Sequence, residues 1–119
     1  LEKKQFLIAV ISLFVLIAGF IIYINPGYYD EEYIEKLTHD ILKNKGSLTL
    51  IEEFLKYKSK ASVDGAGYLQ YYGNLYYIYT KYPNNVLYFK DRFRYRLIIK
   101  VMLKDGKACF DEYHPKGWK

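Results

Sequence analysis

Val86-Leu-Tyr-Phe-Lys-Asp-Arg-Phe-Arg-Tyr-Arg-Leu-Ile-Ile-Lys-Val-Met-Leu-Lys104 is the stretch whose reading decides the fold. Leu87, Phe89, Phe93, Tyr95, Leu97, Ile99, Val101 and Leu103 share one parity, while Tyr88, Lys90, Arg92, Arg94, Arg96, Lys100 and Lys104 share the other. Alternation of period two puts apolar side chains on one face of a strand and charged ones on the opposite face. The stretch is longer than a usual strand of about 5–6 residues, so a break is expected near Asp91-Arg92. Asp105-Gly106 then reads as a type I′ hairpin turn, which would set Leu103 opposite Ala108, Val101 opposite Phe110 and Lys100 opposite Asp111.

The same period extends back to Tyr68. Tyr68–Tyr72 and Leu75–Tyr82 flank Gly73-Asn74, a two-residue hairpin signal, and Pro83-Asn84-Asn85 makes another turn. Ahead of these strands the period is helical. Asp30 can cap a helix carrying Ile34, Leu37, Ile41 and Leu42, which Gly46 stops after Lys43 and Lys45. Thr49-x-x-Glu52 has capping-box spacing, and Ile51, Phe54 and Leu55 give a second amphipathic helix to about Lys58. Ser59 to Gly67 reads as a loop. The expected class is α+β: an N-terminal transmembrane helix, then two amphipathic helices packed on a four- or five-stranded antiparallel β-meander.

The transmembrane expectation rests on Phe6 to Ile24, an apolar run without charge flanked by Lys3-Lys4 and by Asn25-Pro26-Gly27. As a helix it would be about 28 Å long, close to the roughly 30 Å hydrocarbon core. A cleaved signal peptide would have a shorter apolar region and a small-residue cleavage site, and a soluble core helix would carry a polar stripe. Basic residues precede the run and the next one is Lys36, so the basic-residue bias places the N-terminus in the cytoplasm. The organisation that follows is a cytoplasmic 1–5, a single-pass signal-anchor 6–24, a joint 25–29 and an extracytoplasmic domain 30–119 at the outer face of a bacterial inner membrane. Ala9, Ser12 and Gly19 would give the span, from Phe6 to Ile24, one face of small residues.

Beyond the run, residues 25–119 carry 16 basic and 12 acidic residues, net +4. One cysteine excludes an internal disulfide and a cysteine-type zinc site. Roughly 95 residues suffice for one small core. Fifteen tyrosines occur, nine of them from Tyr68 to Tyr95. In strands, the pairs Tyr71-Tyr72 and Tyr76-Tyr77 would each put one ring on either face, exposing several.

Function is read from what projects outward. Tyr88, Lys90, Arg92, Arg94, Arg96, Lys100 and Lys104 would share one sheet face, with Asp111 as the single acidic residue placed against them. Such a face suits an acidic protein, anionic lipid headgroups or a wall polymer. It is also what a solvated sheet face looks like. Nucleic acid is not expected as a partner, since the domain would lie outside the cytoplasm and carries no RNP-like, helix-turn-helix or zinc pattern.

Catalytic patterns are thin. HExxH, GxSxG, P-loop and EF-hand signatures are absent, and Asp30-Glu31-Glu32 and Glu52-Glu53 suit helix N-termini better than acid–base work. His39 is expected to be solvated, His114 to lie in a tail or turn, and Cys109 to be a buried, unreactive thiol. No catalytic residue, metal site or cofactor is expected. An anchor followed by a small basic, tyrosine-rich domain resembles, in architecture alone, bacterial membrane-tethered immunity proteins that block a toxin. That resemblance implies a non-catalytic protein-binding module facing the periplasm or cell exterior. Alternatives are a structural or assembly subunit of an envelope complex, or a domain binding anionic lipid or wall polymer.

Overall fold

The computed structural model describes residues 2–24, 29–58, 65–116 and 118, with side chains described to residue 18 and again from 29 within those ranges. Among the described residues there is no strand. The elements are α1 (Lys3–Ile24), α2 (Glu31–Lys43), α3 (Leu48–Tyr57), α4 (Gly65–Lys81), the short α5 (Pro83–Leu87) and α6 (Arg96–Tyr113). Helix α4 is the centre of the packing, with α2, α5 and α6 against it and α3 joining α2 and α5.

The first two amphipathic helices form where their spacing implies. Asp30 is extended and its carboxylate accepts from the Tyr33 amide at 3.1 Å, which satisfies one of the open donors of the α2 N-terminus. Gly46 closes α2 by donating to the Ile41 carbonyl at 2.8 Å with φ +73, a left-handed conformation that favours glycine. Ser47, rather than Thr49, caps α3. Ile34, Leu37 and Ile41 of α2 meet Ile51, Phe54 and Leu55 of α3 in the core.

From Tyr68 onward the β expectation is overturned. The meander, its hairpins and the pairings across Asp105-Gly106 do not form, because α4 and α6 occupy those residues. Two side chains explain the outcome in α6. Ile98 and Met102 have the parity of the cations, so a strand would expose them; in the helix they join Tyr95, Ile99 and Cys109 on one buried side. Burying such a side chain is worth about 1.5–3 kcal/mol. Leu97 and Leu103, which alternation would bury, are left outside.

The two apparent turn signals serve helix packing instead. Gly73 faces the backbone of α6: a methyl group there would lie 3.0 Å from the Phe110 Cα and N. Gly106 faces α4, where a methyl group would lie 2.8 Å from the Tyr76 Cβ. Absence of a side chain at both places lets the two backbones approach closely. The tyrosine pairs also behave as helical residues. Tyr71 and Tyr72 are both buried, and Tyr71 stacks on Phe54 with ring centroids 4.7 Å apart while its hydroxyl donates to the Phe54 carbonyl at 2.8 Å.

The expectation of a transmembrane, single-pass anchor is likewise corrected. Helix α1 forms, but among the described residues no helix is long and apolar enough to cross a membrane. Phe6, Leu7, Ile8, Ile11, Leu13 and Phe14 are exposed, as is Ser12. The side chains of Gly19, Tyr23 and Ile24, the joint residues 25–28 and the loop residues 59–64 lie outside the described ones.

Candidate functional site

The seven residues expected to share one face are divided by the helical fold. Arg96, Lys100 and Lys104 remain together, at successive four-residue steps on the outer side of α6. Tyr88, Lys90, Arg92 and Arg94 fall in the turns between α5 and α6, a segment tied by backbone hydrogen bonds in which the Arg92 N–H donates to the Phe89 carbonyl and the Tyr95 N–H to the Arg92 carbonyl.

Arg92 is used structurally. Its guanidinium donates to Glu52 of α3 at 3.3 Å and to the Tyr88 hydroxyl at 3.4 Å, and it lies over the Tyr88 and Phe89 rings at 5.2 and 5.1 Å. Tyr95 donates to the same Glu52 oxygen at 3.1 Å. Glu52 thereby holds the turn segment against α3. Burial, and then the bond to Glu52, raise the Tyr95 hydroxyl above its ordinary pKa. Arg94 lies over the Tyr95 ring at 5.8 Å.

The side chains of Lys90, Arg96, Lys100 and Lys104 make no hydrogen bond or ion pair among the described residues, and all four are exposed. Apolar side chains stand between them. Phe93 is 90% exposed, Leu97 70%, Tyr88 57% and Leu103 51%. Alternation assigns Phe93, Leu97 and Leu103 to the core, so their exposure was missed. Testing the stretch against a 3.6-residue period would have found them, along with Lys107, which pairs with Asp111 at 3.1 Å.

A second polar cluster joins α2, α4 and the end of α6. Gln70 and Asn74 of α4 are fully buried. Gln70 accepts from the Tyr29 hydroxyl at 2.8 Å and donates to the Glu31 carbonyl and the Glu35 carboxylate. Asn74 donates to Glu35 at 3.1 Å and to Thr38 at 3.2 Å, leaving its carbonyl oxygen 3.1 Å from Nε2 of His114. That oxygen can only accept, so His114 carries its proton on Nε2 in this arrangement. Burial lowers the His114 pKa, with Glu35 opposing. His114, expected in a tail or turn, caps α6 and stacks on Trp118 with centroids 4.4 Å apart. Every buried side-chain nitrogen or oxygen among the described residues has a partner. A network so satisfied aligns three helices.

Other chemistry is sparse among the described residues. Cys109 is a free thiol buried against α4, and burial raises its pKa, which disfavours the thiolate. No group of three or more His, Cys, Asp or Glu side chains comes together. A hollow of about 430 Å³ between α2 and α3, lined by Tyr33, Thr49, Glu52, Glu53, Lys56 and Tyr57, is open to solvent. Its carboxylates are engaged, Glu52 as above and Glu53 by the Tyr33 hydroxyl at 3.4 Å. Comparison with protein-family models, with curated proteins and with solved structures finds no match for this chain.

Proposed function

We propose that the chain is a non-catalytic protein-binding module that docks an acidic partner on the outer side of α6 and the turns before it. The observation that carries this reading is the coincidence of four cations lacking partners among the described residues with four exposed large apolar or aromatic side chains. Solvated surfaces seldom group large apolar residues around charges, whereas interfaces join arginine with aromatic anchors. The scaffold beneath is rigid, because α6 lies against α4 at the two glycines. A rigid, prearranged face loses little freedom on docking. An inhibitory role of the immunity type, in which the module occludes its partner, fits a face with binding chemistry and no nucleophile or acid–base pair.

The test is affinity capture with the full chain and with a variant carrying Arg96→Glu, Lys100→Glu and Lys104→Glu. An acidic protein retained by the natural chain, released at high salt and lost in the variant supports the reading. Retention unchanged by reversal of all three charges refutes it.

A further inference from the structure

We infer that the partner segment seated on α6 is an acidic amphipathic helix, lying along the face from Arg96 to Lys107. This deepens the reading of an acidic partner and rests on it. At about 100° per residue, Arg96, Leu97, Lys100, Leu103, Lys104 and Lys107 fall within an arc of roughly 120°. Leu103 borders the arc on one side and Leu97 on the other. The cations Arg96, Lys107, Lys100 and Lys104 lie between them. The arc runs about 17 Å along the axis, three helical turns, and Phe93 stands one turn before its start.

The order of these residues across the face selects the occupant. A helix resting on a lipid surface needs its apolar side chains in the middle, where they enter the acyl boundary, and its cations at the margins, level with the headgroups. The face of α6 is arranged the other way round. A flexible polyanion would use the cations and leave both leucine margins idle. A second helix uses all of it: a central stripe of carboxylates meets the cations, and apolar side chains on both sides of that stripe cover Leu97 and Leu103. Lys107 is paired at 3.1 Å with Asp111, four residues on in the same helix, so Arg96, Lys100 and Lys104 are the cations left for a partner's carboxylates.

The probe is a labelled peptide of about 18 residues, long enough to hold a helix, with glutamates in one helical stripe and leucines bordering it. An isomer of the same composition in scrambled order is the control. Both are titrated by fluorescence anisotropy against the full chain, kept in a non-ionic detergent that covers the exposed side chains of α1. The striped peptide is expected to bind at least about tenfold more tightly than the scrambled one. Leu97→Ser with Leu103→Ser should bring the striped peptide down to the scrambled level and leave the latter unchanged. Both leucines are exposed, and an unchanged thermal transition confirms that the variant is folded. Equal binding of the two peptides overturns the helix inference while leaving an acidic partner in place. Indifference of both peptides to Arg96→Glu, Lys100→Glu and Lys104→Glu overturns the acidic partner as well. Stronger binding to micelles doped with phosphatidylserine, with the same residue dependence, overturns the inference in favour of lipid.

Discussion

Replacing Gly73 by alanine sets two effects of opposite sign against each other at one position. In an exposed helix the change would stabilise by about 0.5–1 kcal/mol, since glycine is the poorer helix former. Here the added methyl group lies 3.0 Å from the Phe110 Cα and N and 3.1 Å from the Cys109 carbonyl carbon. Carbon atoms prefer separations of about 3.5–4.0 Å, so α6 has to retreat by a few tenths of an ångström. The atoms in the way are helix backbone and cannot rotate aside. Overpacking of this kind costs about 1–3 kcal/mol, and the retreat also loosens contacts of Ile99, Met102 and Cys109. The net expectation is a loss of about 1–2 kcal/mol, or a fall in Tm of roughly 5–15 °C for a domain of this size. Gly106→Ala, with its methyl group 2.8 Å from the Tyr76 Cβ, should act in the same direction. The double variant should lose less than the sum, because one retreat of α6 relieves both contacts. Thermal unfolding followed by circular dichroism reads all three variants. A rise in Tm for Gly73→Ala would mean that propensity prevails and that α4 and α6 are not held at the separation described.

Further expectations concern the polar cluster and the outer face. Asn74→Leu removes the partner of Thr38 and His114 and one donor to Glu35, and should cost about 1–3 kcal/mol in urea unfolding; an unchanged midpoint would show that water replaces it freely. His114 has a lowered pKa in the folded chain, so the unfolded chain binds its proton first as pH falls from the ordinary 6.5. Its contribution is complete above that value and is lost as pH drops through the folded-state value. Urea midpoints across this range should therefore decline less in His114→Gln than in the natural chain, and parallel declines would remove His114 as the cause. Tyr68 and Tyr72 are pushed up to about 12, chiefly by burial, so stability should be whole below pH 10 and lost as pH rises toward 12. A spectrophotometric titration in which all tyrosines ionised together near pH 10 would contradict this. Arg92→Ala should cost under about 1 kcal/mol, since its pair with Glu52 is half-exposed and Tyr95 still reaches that carboxylate.

The misreading of residues 86–104 has a specific physical cause. A step of four residues returns a side chain to the same face of a strand and, within about 40°, to the same face of a helix. Arg96, Lys100 and Lys104 satisfy both periods, which is why this part of the site was legible under the wrong secondary structure. Ile98 and Met102 satisfy only the helical one. They were the discriminating residues in the stretch. Gly73-Asn74 and Asp105-Gly106 misled for a related reason: a glycine that admits a tight turn also admits a neighbouring backbone, and only the partner helix shows which use is made of it. Asn74 carried no sequence signal of its role, because its partners Glu35, Thr38 and His114 are up to forty residues away.

Local chemistry alone determined the helix after Asp30, its stop at Gly46 and the core face of α3, each set by residues within a turn or two of one another, and composition alone determined the absence of an internal disulfide and the net positive charge. Tertiary structure decided the rest. Whether Tyr68–Tyr82 and Tyr95–Tyr113 become strands or helices depends on burying Tyr71, Ile78, Ile98 and Met102 against each other across the two glycines. That contact exists only once both segments are helical, so the helical period of residues 86–104 could suggest a helix there but not the partner it packs against. The same contact turns Phe93, Leu97 and Leu103 outward, and so makes the surface on which the proposed function rests.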